Sequence, residues 1–205
     1  MEDKREIRSE LIKKRDAIDG RDWEEYSKTI QKTLITSSLY KQADCIMAYA
    51  DFHGEVGTLM LVEDALLSGK RVFLPRVLDN FTESRMEFYE IVTTGELMAG
   101  YKGIPEPIGN RERTFNPSEF EGKTVLMTVP GVAFDKRNYR MGYGRGYYDI
   151  YLSNKPGIIK CGLCFSMQML DEIPITENDI KLDFCVTELT GKDELESMTS
   201  AFLRK

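Results

Sequence analysis

Between residues 125 and 149 the chain has few ways to fold. An apolar run of strand length, Val125-Leu126-Met127-Thr128-Val129, leads into Pro130-Gly131-Val132-Ala133-Phe134-Asp135. A short basic turn follows, then Arg140-Met141-Gly142-Tyr143-Gly144-Arg145-Gly146-Tyr147-Tyr148-Asp149. The three alternate glycines permit positive φ and let a ligand approach the backbone. A helix can start at Gly146 or Tyr147, and the unpaired N–H groups of such a start suit an anion. Arg140 and Arg145 flank the loop with permanent charge and planar donor forks matched to phosphate. Asp149 falls just inside the helix, where a carboxylate can hold Mg²⁺ against bound phosphates. From its residues the stretch reads as a phosphate-binding loop with a metal ligand. The alternative is a glycine-rich tight turn held by aromatic packing. It is neither a P-loop, lacking Gly-Lys-Ser/Thr, nor the dinucleotide fingerprint, whose glycines are spaced differently.

The flanking sequence alternates strands with helices. Residues 45–50 form a continuous apolar run suited to a buried parallel strand. The loop 51–57 follows, then Thr58 as N-cap of a helix over 59–68 closed by Gly69. A short strand over 71–74, ended by Pro75, completes a βαβ unit of about 30 residues. Residues 86–92 alternate and predict an edge strand or an antiparallel addition. Two more short strands are expected over 160–165 and 184–187. Residues 109–123 read as a polar connector with no domain boundary. The predicted architecture is an α/β domain with a mostly parallel sheet flanked by helices. It spans 1–205 as a single domain, with 190–205 a polar C-terminal tail, helical near 195–203.

In an open α/β sheet, ligands bind at the loops after parallel strands, which draws attention to residues 51–57. Glu55 is either part of a site or a solvent-facing charge. His53 is either a base or a surface histidine.

Two helices precede the first strand, over 3–18 and 22–40, parted by Asp19-Gly20. Trp23 anchors the second by packing. On the first, Ile7, Leu11 and Ile18 fall within about 40° of one another. Lys4, Arg8 and Arg15 share the neighbouring face, as a positive ridge at the domain boundary or as a solvated charged face.

No apolar run approaches the roughly 18–20 residues that cross a bilayer. The charged N-terminus lacks a signal-peptide core, so a cytoplasmic location is expected. A formal charge of −6 disfavours a broad nucleic-acid surface. Cys161-Gly-Leu-Cys164 has half-zinc-site spacing with no second pair close in sequence. Cys45, Cys161, Cys164 and Cys185 are therefore expected as buried thiols.

The run from Pro130 to Asp149 resembles the signature of the 5-formyltetrahydrofolate cyclo-ligase family, and the resemblance extends over residues 4–188. It implies a three-layer Rossmann-like fold. The reaction it implies is that of 5-formyltetrahydrofolate and ATP giving 5,10-methenyltetrahydrofolate, ADP and phosphate, with Mg²⁺ as cofactor. Lys4 and Arg8 match a family Lys–Arg pair, four residues apart, that contacts the ATP phosphates; Arg15 is not carried over. Glu55-Val56-Gly57-Thr58 matches Glu-Val/Ile-x-Thr, whose Glu contacts folate, although Gly57 stands where the family often has an acidic residue. Ala50 aligns with a small or apolar position lining the folate site. Gly103-Ile104-Pro105-Glu106-Pro107 resembles a segment near which an aromatic residue faces the pterin. Tyr101 is then either a stacking residue or turn packing. Asp179 matches a family magnesium ligand, and Asp183 reads as structural.

By this resemblance Lys4 and Arg140 are the catalytic groups. ATP contacts come from Lys4, Arg8, Arg140, Met141, Gly142, Tyr143, Gly144, Arg145, Gly146, Tyr147 and Tyr148. Folate contacts come from Ala50, Glu55, Tyr143, Gly144, Arg145, Gly146 and Tyr147, with Arg145 able to serve either substrate. Asp149 and Asp179 are the Mg²⁺ ligands. The expected partners are small molecules only, including polyglutamylated folate, with no nucleic acid or membrane, and the chain is expected as a monomer. Two rivals stand beside this reading. One is an ATP-dependent enzyme acting on another small amide or acid. The other is a non-catalytic nucleotide-binding module, against which the metal-ligand pair argues.

Overall fold

The computed structural model describes residues 3–78 and 85–203. In chain order the helices are α1 (Lys4–Asp16), α2 (Gly20–Thr36), α3 (Ser38–Gln42), α4 (Leu59–Leu67), α5 (Tyr147–Leu152) and α6 (Lys192–Thr199). The strands are β1 (Cys45–Met47), β2 (Arg71–Val77), β3 (Met86–Ile91), β4 (Leu97–Ala99), β5 (Pro105–Pro107), β6 (Val125–Val129), β7 (Ala133–Asp135), β8 (Arg140–Met141), β9 (Ile158–Leu163), β10 (Met169–Leu170) and β11 (Phe184–Val186).

Among the described residues the main sheet has the order β11-β9-β6-β1-β2-β3. All neighbours are parallel except β2 and β3. Numbered by its own strands, this is the 3-2-1-4-5-6 order of a doubly wound sheet. The point where the order reverses lies between β1 and β6.

Both faces of the central strands are buried, which is why they read as continuous apolar runs. Ile46 and Leu126 face a layer built from α2, α3, α4 and α6. Cys45, Met47, Val125 and Met127 face the other way, onto Phe73, Phe88, Tyr151 and Leu152. A small sheet, β10-β7-β8, stands beside this second layer. Phe134 from it enters the same core. α1 lies on the small sheet, packing Ile7 and Leu11 against Val132, Ala133, Met141 and Ile173. The two sheets meet closely at Gly162, where a Cβ would stand 2.8 Å from both Cys185 Sγ and a Phe134 ring carbon.

Several elements differ from expectation for local reasons. The second helix does not run to residue 40. It stops at Ser37, whose extended backbone (ψ 153°) separates α2 from α3 and whose hydroxyl accepts from Tyr40 N. Thr58 makes no side-chain cap; its hydroxyl donates instead to the Tyr49 carbonyl. β2 continues through Pro75, which pairs with Phe88. The Phe88 carbonyl accepts from Phe115 N on the far side. The Pro75–Phe88 pair therefore needs no ladder hydrogen bond, and no donor is missed. The "basic turn" of the sequence is a hairpin, β7–β8. The segment expected as a polar tail carries α6, with Leu195 buried against the first core; its last two residues lie outside the described ones. All four cysteines are free and buried.

Candidate active site

A cleft of about 650 Å³ opens at the point where the strand order reverses. Its walls come from the loop after β1, the turn after β6, the glycine loop between β8 and α5, one face of α1 and the 101–106 segment. Every site residue expected from the sequence lines it: Lys4, Arg8, Ala50, Glu55, Arg140 to Asp149, and Asp179.

Arg140 is the first residue of β8 and is 5% exposed. Its position is set from below by the β7–β8 turn. There the buried Asp135 carboxylate accepts from Arg137 N (3.0 Å), Tyr139 N (2.9 Å), Ile173 N (3.1 Å) and the Arg137 guanidinium (2.8 Å). Burial opposes ionisation of Asp135, but these donors outweigh it and hold its carboxyl below the usual range. Arg140 donates to Asp149 Oδ1 (3.2 Å), its guanidinium lies 5.3 Å from the Tyr148 ring centroid, and its Nε is buried without a partner.

Beyond β8 the chain needs glycine. Gly144 (φ 101°) and Gly146 (φ 69°) occupy left-handed backbone, and Gly146 is the N-cap of α5. Arg8 of α1 reaches across to donate to the Gly142 carbonyl (2.9 Å). Lys4, one turn earlier, donates to Asp179 Oδ2 (2.9 Å), which also accepts from Thr176 N (2.6 Å). Burial raises the Asp179 pKa, but Lys4 and Thr176 lower it further, so its carboxyl lies below the ordinary value.

Ile180 N, adjacent to Asp179, donates to Asp149 Oδ1 (3.1 Å), which brings the two acids side by side. Their carboxyl oxygens are hard donors of the kind Mg²⁺ takes while keeping water and phosphate oxygens as its other ligands. Among the described residues no group of three or more His, Cys, Asp or Glu that could hold a metal ion is found.

The other half of the cleft is aromatic and apolar. Tyr49, Ala50, Phe52, Met86, Tyr101 and Tyr147 line it. Tyr101 and Tyr147 meet edge to face at 6.3 Å, and Phe52 meets Tyr143 at the same distance. Glu55 lies here, 6% exposed, accepting from Phe52 N (3.1 Å). Burial pushes its carboxyl up to about 8, against the opposing charge of Arg15. Trp23 does more than anchor α2: its indole donates to the Glu55 carbonyl (2.9 Å). His53 is exposed at the rim with φ 49°, its ring against Phe52. Asp183 accepts from Lys160 N and Nζ, outside the cleft.

Sequence reasoning left out Tyr49, Phe52, Glu106 and Arg15. Glu106 is buried on β5 and packs on Gly100, where a Cβ would come within 2.3 Å of its carboxylate. The available signal for it was the Gly103–Pro107 motif, in which it stands.

The comparisons with known proteins agree with this geometry. A model of the 5-formyltetrahydrofolate cyclo-ligase family matches residues 1–188. A probable 5-formyltetrahydrofolate cyclo-ligase of Schizosaccharomyces pombe is 33% identical over 175 residues, covering 78% of this chain and 83% of that protein. The 5-formyltetrahydrofolate cyclo-ligase of Haemophilus influenzae is 28% identical over 181 residues, covering 87% and 94%. Among solved structures, the 5,10-methenyltetrahydrofolate synthetase of Aquifex aeolicus superposes with a TM-score of 0.78 at 30% identity, covering 91% of this chain and 90% of that one. The Mycoplasma pneumoniae synthetase shares the fold, with a TM-score of 0.70 at 24% identity and coverage of 91% and 99%.

Proposed function

The chain belongs to the 5-formyltetrahydrofolate cyclo-ligase family and is an enzyme of that class, and from that premise we propose how its cleft closes the folate ring. The substrates are 5-formyltetrahydrofolate and ATP, and the products 5,10-methenyltetrahydrofolate, ADP and phosphate. One observation carries the reading: a single cleft joins a cationic, glycine-lined half to an aromatic half with a buried carboxyl.

The chemistry requires both halves. A formyl group on nitrogen is an amide, and its oxygen is a poor leaving group. Transfer of the γ-phosphoryl to that oxygen makes it a good one. N10 then attacks the activated carbon, its proton passes to solvent, and the oxygen departs as phosphate. The protein's contribution to such a transfer is position and charge stabilisation.

Lys4, Arg8 and Arg140 face the triphosphate, with the Gly142–Gly146 backbone as its cradle. Arg140 and Lys4 meet the charge that grows on the transferred group. Asp149 and Asp179 would hold Mg²⁺, which would supply positive charge against the phosphates; their present partners, Arg140 and Lys4, serve the phosphates too. Tyr143, Tyr147, Ala50 and Glu55 hold the pterin so that the formyl oxygen points at the cationic half. Tyr101, edge-on to Tyr147, closes this wall.

The test is an absorbance assay for the methenyl product with purified protein. Product growth that requires folate, ATP and Mg²⁺ together is expected. Growth without ATP, or none at all from folded protein, overturns the reading. Arg140→Ala should lower kcat by about 10²–10³, as loss of one preorganised charge at a transition state does; near-normal turnover would remove Arg140 from the mechanism.

A further inference from the structure

Arg15 has no part in the mechanism above, yet it is the most deeply buried cation near the cleft, at 2% exposure. It lies on the last turn of α1. One terminal nitrogen donates to the Gly131 carbonyl (3.3 Å), in the turn after β6. The other donates to the Tyr143 hydroxyl, in the glycine loop. Its stem runs beneath the loop after β1, where a Cβ on Gly54 would stand 3.9 Å from it. One side chain thus bonds two of the segments that wall the cleft and lies beneath a third.

This is an expensive way to build a surface. Its Nε is buried without a partner, and no carboxylate lies within ion-pair distance of it among the described residues. Buried guanidinium groups normally find such partners. What it holds needs holding. Tyr143 sits between Gly142 and Gly144, the latter at φ 101°, so its own backbone restrains it little. Its ring is fixed by the Arg15 guanidinium, 5.7 Å from the ring centroid, and by Phe52 at 6.3 Å. The Phe52 backbone in turn donates to Glu55.

We propose that Arg15 is a positioning residue that clamps Tyr143 to the β6 turn and so sets the gap between Tyr143 and Glu55 in which the pterin sits. The proposal deepens the folate reading and rests on it. It also gives α1 two tasks. Lys4 and Arg8 serve the phosphate half, and Arg15, roughly 10 Å beyond Arg8 along the helix axis, serves the folate half.

The test compares wild type with Arg15→Lys, Tyr143→Phe and the double variant. Tyr143→Phe removes one oxygen from a half-exposed ring and keeps the fold. Lysine keeps the charge and loses the fork. Each single variant should raise the KM for 5-formyltetrahydrofolate by roughly tenfold and the KM for ATP by clearly less. The double variant should be no worse than the worse single, because both cut the same link. A KM for ATP that rises as much as the folate one, or penalties that multiply, would overturn the clamp. Exchange of the Gly142–Gly146 amides with deuterium, in protein without ligands, reads the clamp independently of folate. Faster exchange there in both single variants supports it, and unchanged exchange sinks it. If wild type turns over no folate, the reaction fails while the exchange result still decides the clamp.

Discussion

Glu55 sits where water cannot solvate its charge, and that has a cost which varies with pH. In the unfolded chain the group loses its proton near 4.5, and in the fold it keeps it to about 8. Between those values the folded state binds the extra proton. The stability this contributes is full below the unfolded value and is lost as pH rises through the folded one. Glu55→Gln removes the titration. Its melting temperature relative to wild type should therefore climb between about pH 5 and pH 9. A difference that stays flat would show that burial does not perturb the carboxyl. At this scale legibility was uneven. Glu55 could be found because its motif neighbours, Val56 and Thr58, are contiguous with it. Arg15 could not. Helical periodicity places it on the face of Lys4 and Arg8, but nothing local says that the turn after β6 and the glycine loop cover the far end of that face. Its partners, Gly131 and Tyr143, are more than a hundred residues away.

At the scale of elements, the β7–β8 hairpin decides where Arg140 points. Asp135→Asn would take from Arg137 the buried one of its two counter-charges, leaving only Glu172, and weaken the bonds to Tyr139 and Ile173. We expect a loss of about 2–4 kcal/mol, on the scale of breaking a buried charged network. kcat should also fall, because the turn no longer delivers Arg140. Wild-type kcat in a destabilised Asp135→Asn protein would detach the hairpin from catalysis. Gly162→Ala tests the packing alone. Its new methyl meets Cys185, Phe134 and Leu182 at under 3 Å. It should cost about 1–3 kcal/mol through overpacking, measured by denaturant titration, with KM unchanged. The long elements were legible because their apolar periods exceed a turn or a strand pair. The hairpin was not, since β7 and β8 are three and two residues long, too short for alternation to register. The break at Ser37 was hidden for a similar reason: the apolar period continues through it while the backbone does not.

Taken whole, the molecule should respond to its ligands as one unit, since both halves of the cleft are built from the same switch in strand order. ATP at about 100 times its Kd should stabilise the fold by roughly 2.7 kcal/mol. Chelation of Mg²⁺ should remove both that shift and turnover. A thermal shift that survives chelation would detach Asp149 and Asp179 from a metal. The doubly wound arrangement was legible from the βαβ unit and the strand–glycine–helix stretch. The antiparallel β3 was anticipated as an edge or addition. The small sheet was not, because β10 pairs with β7 residues 35 positions earlier in the chain. The ion pair between Lys4 and Asp179 joins residues 175 positions apart, and that separation bears on biosynthesis. A ribosome adding about 5–20 residues per second makes the cations of α1 first and the acid opposite them last, on the order of ten to thirty seconds later. A chain that ends before Asp179 lacks an acid that lines the cleft and leaves Lys4 without that partner, so on the function proposed above such a product should not turn over.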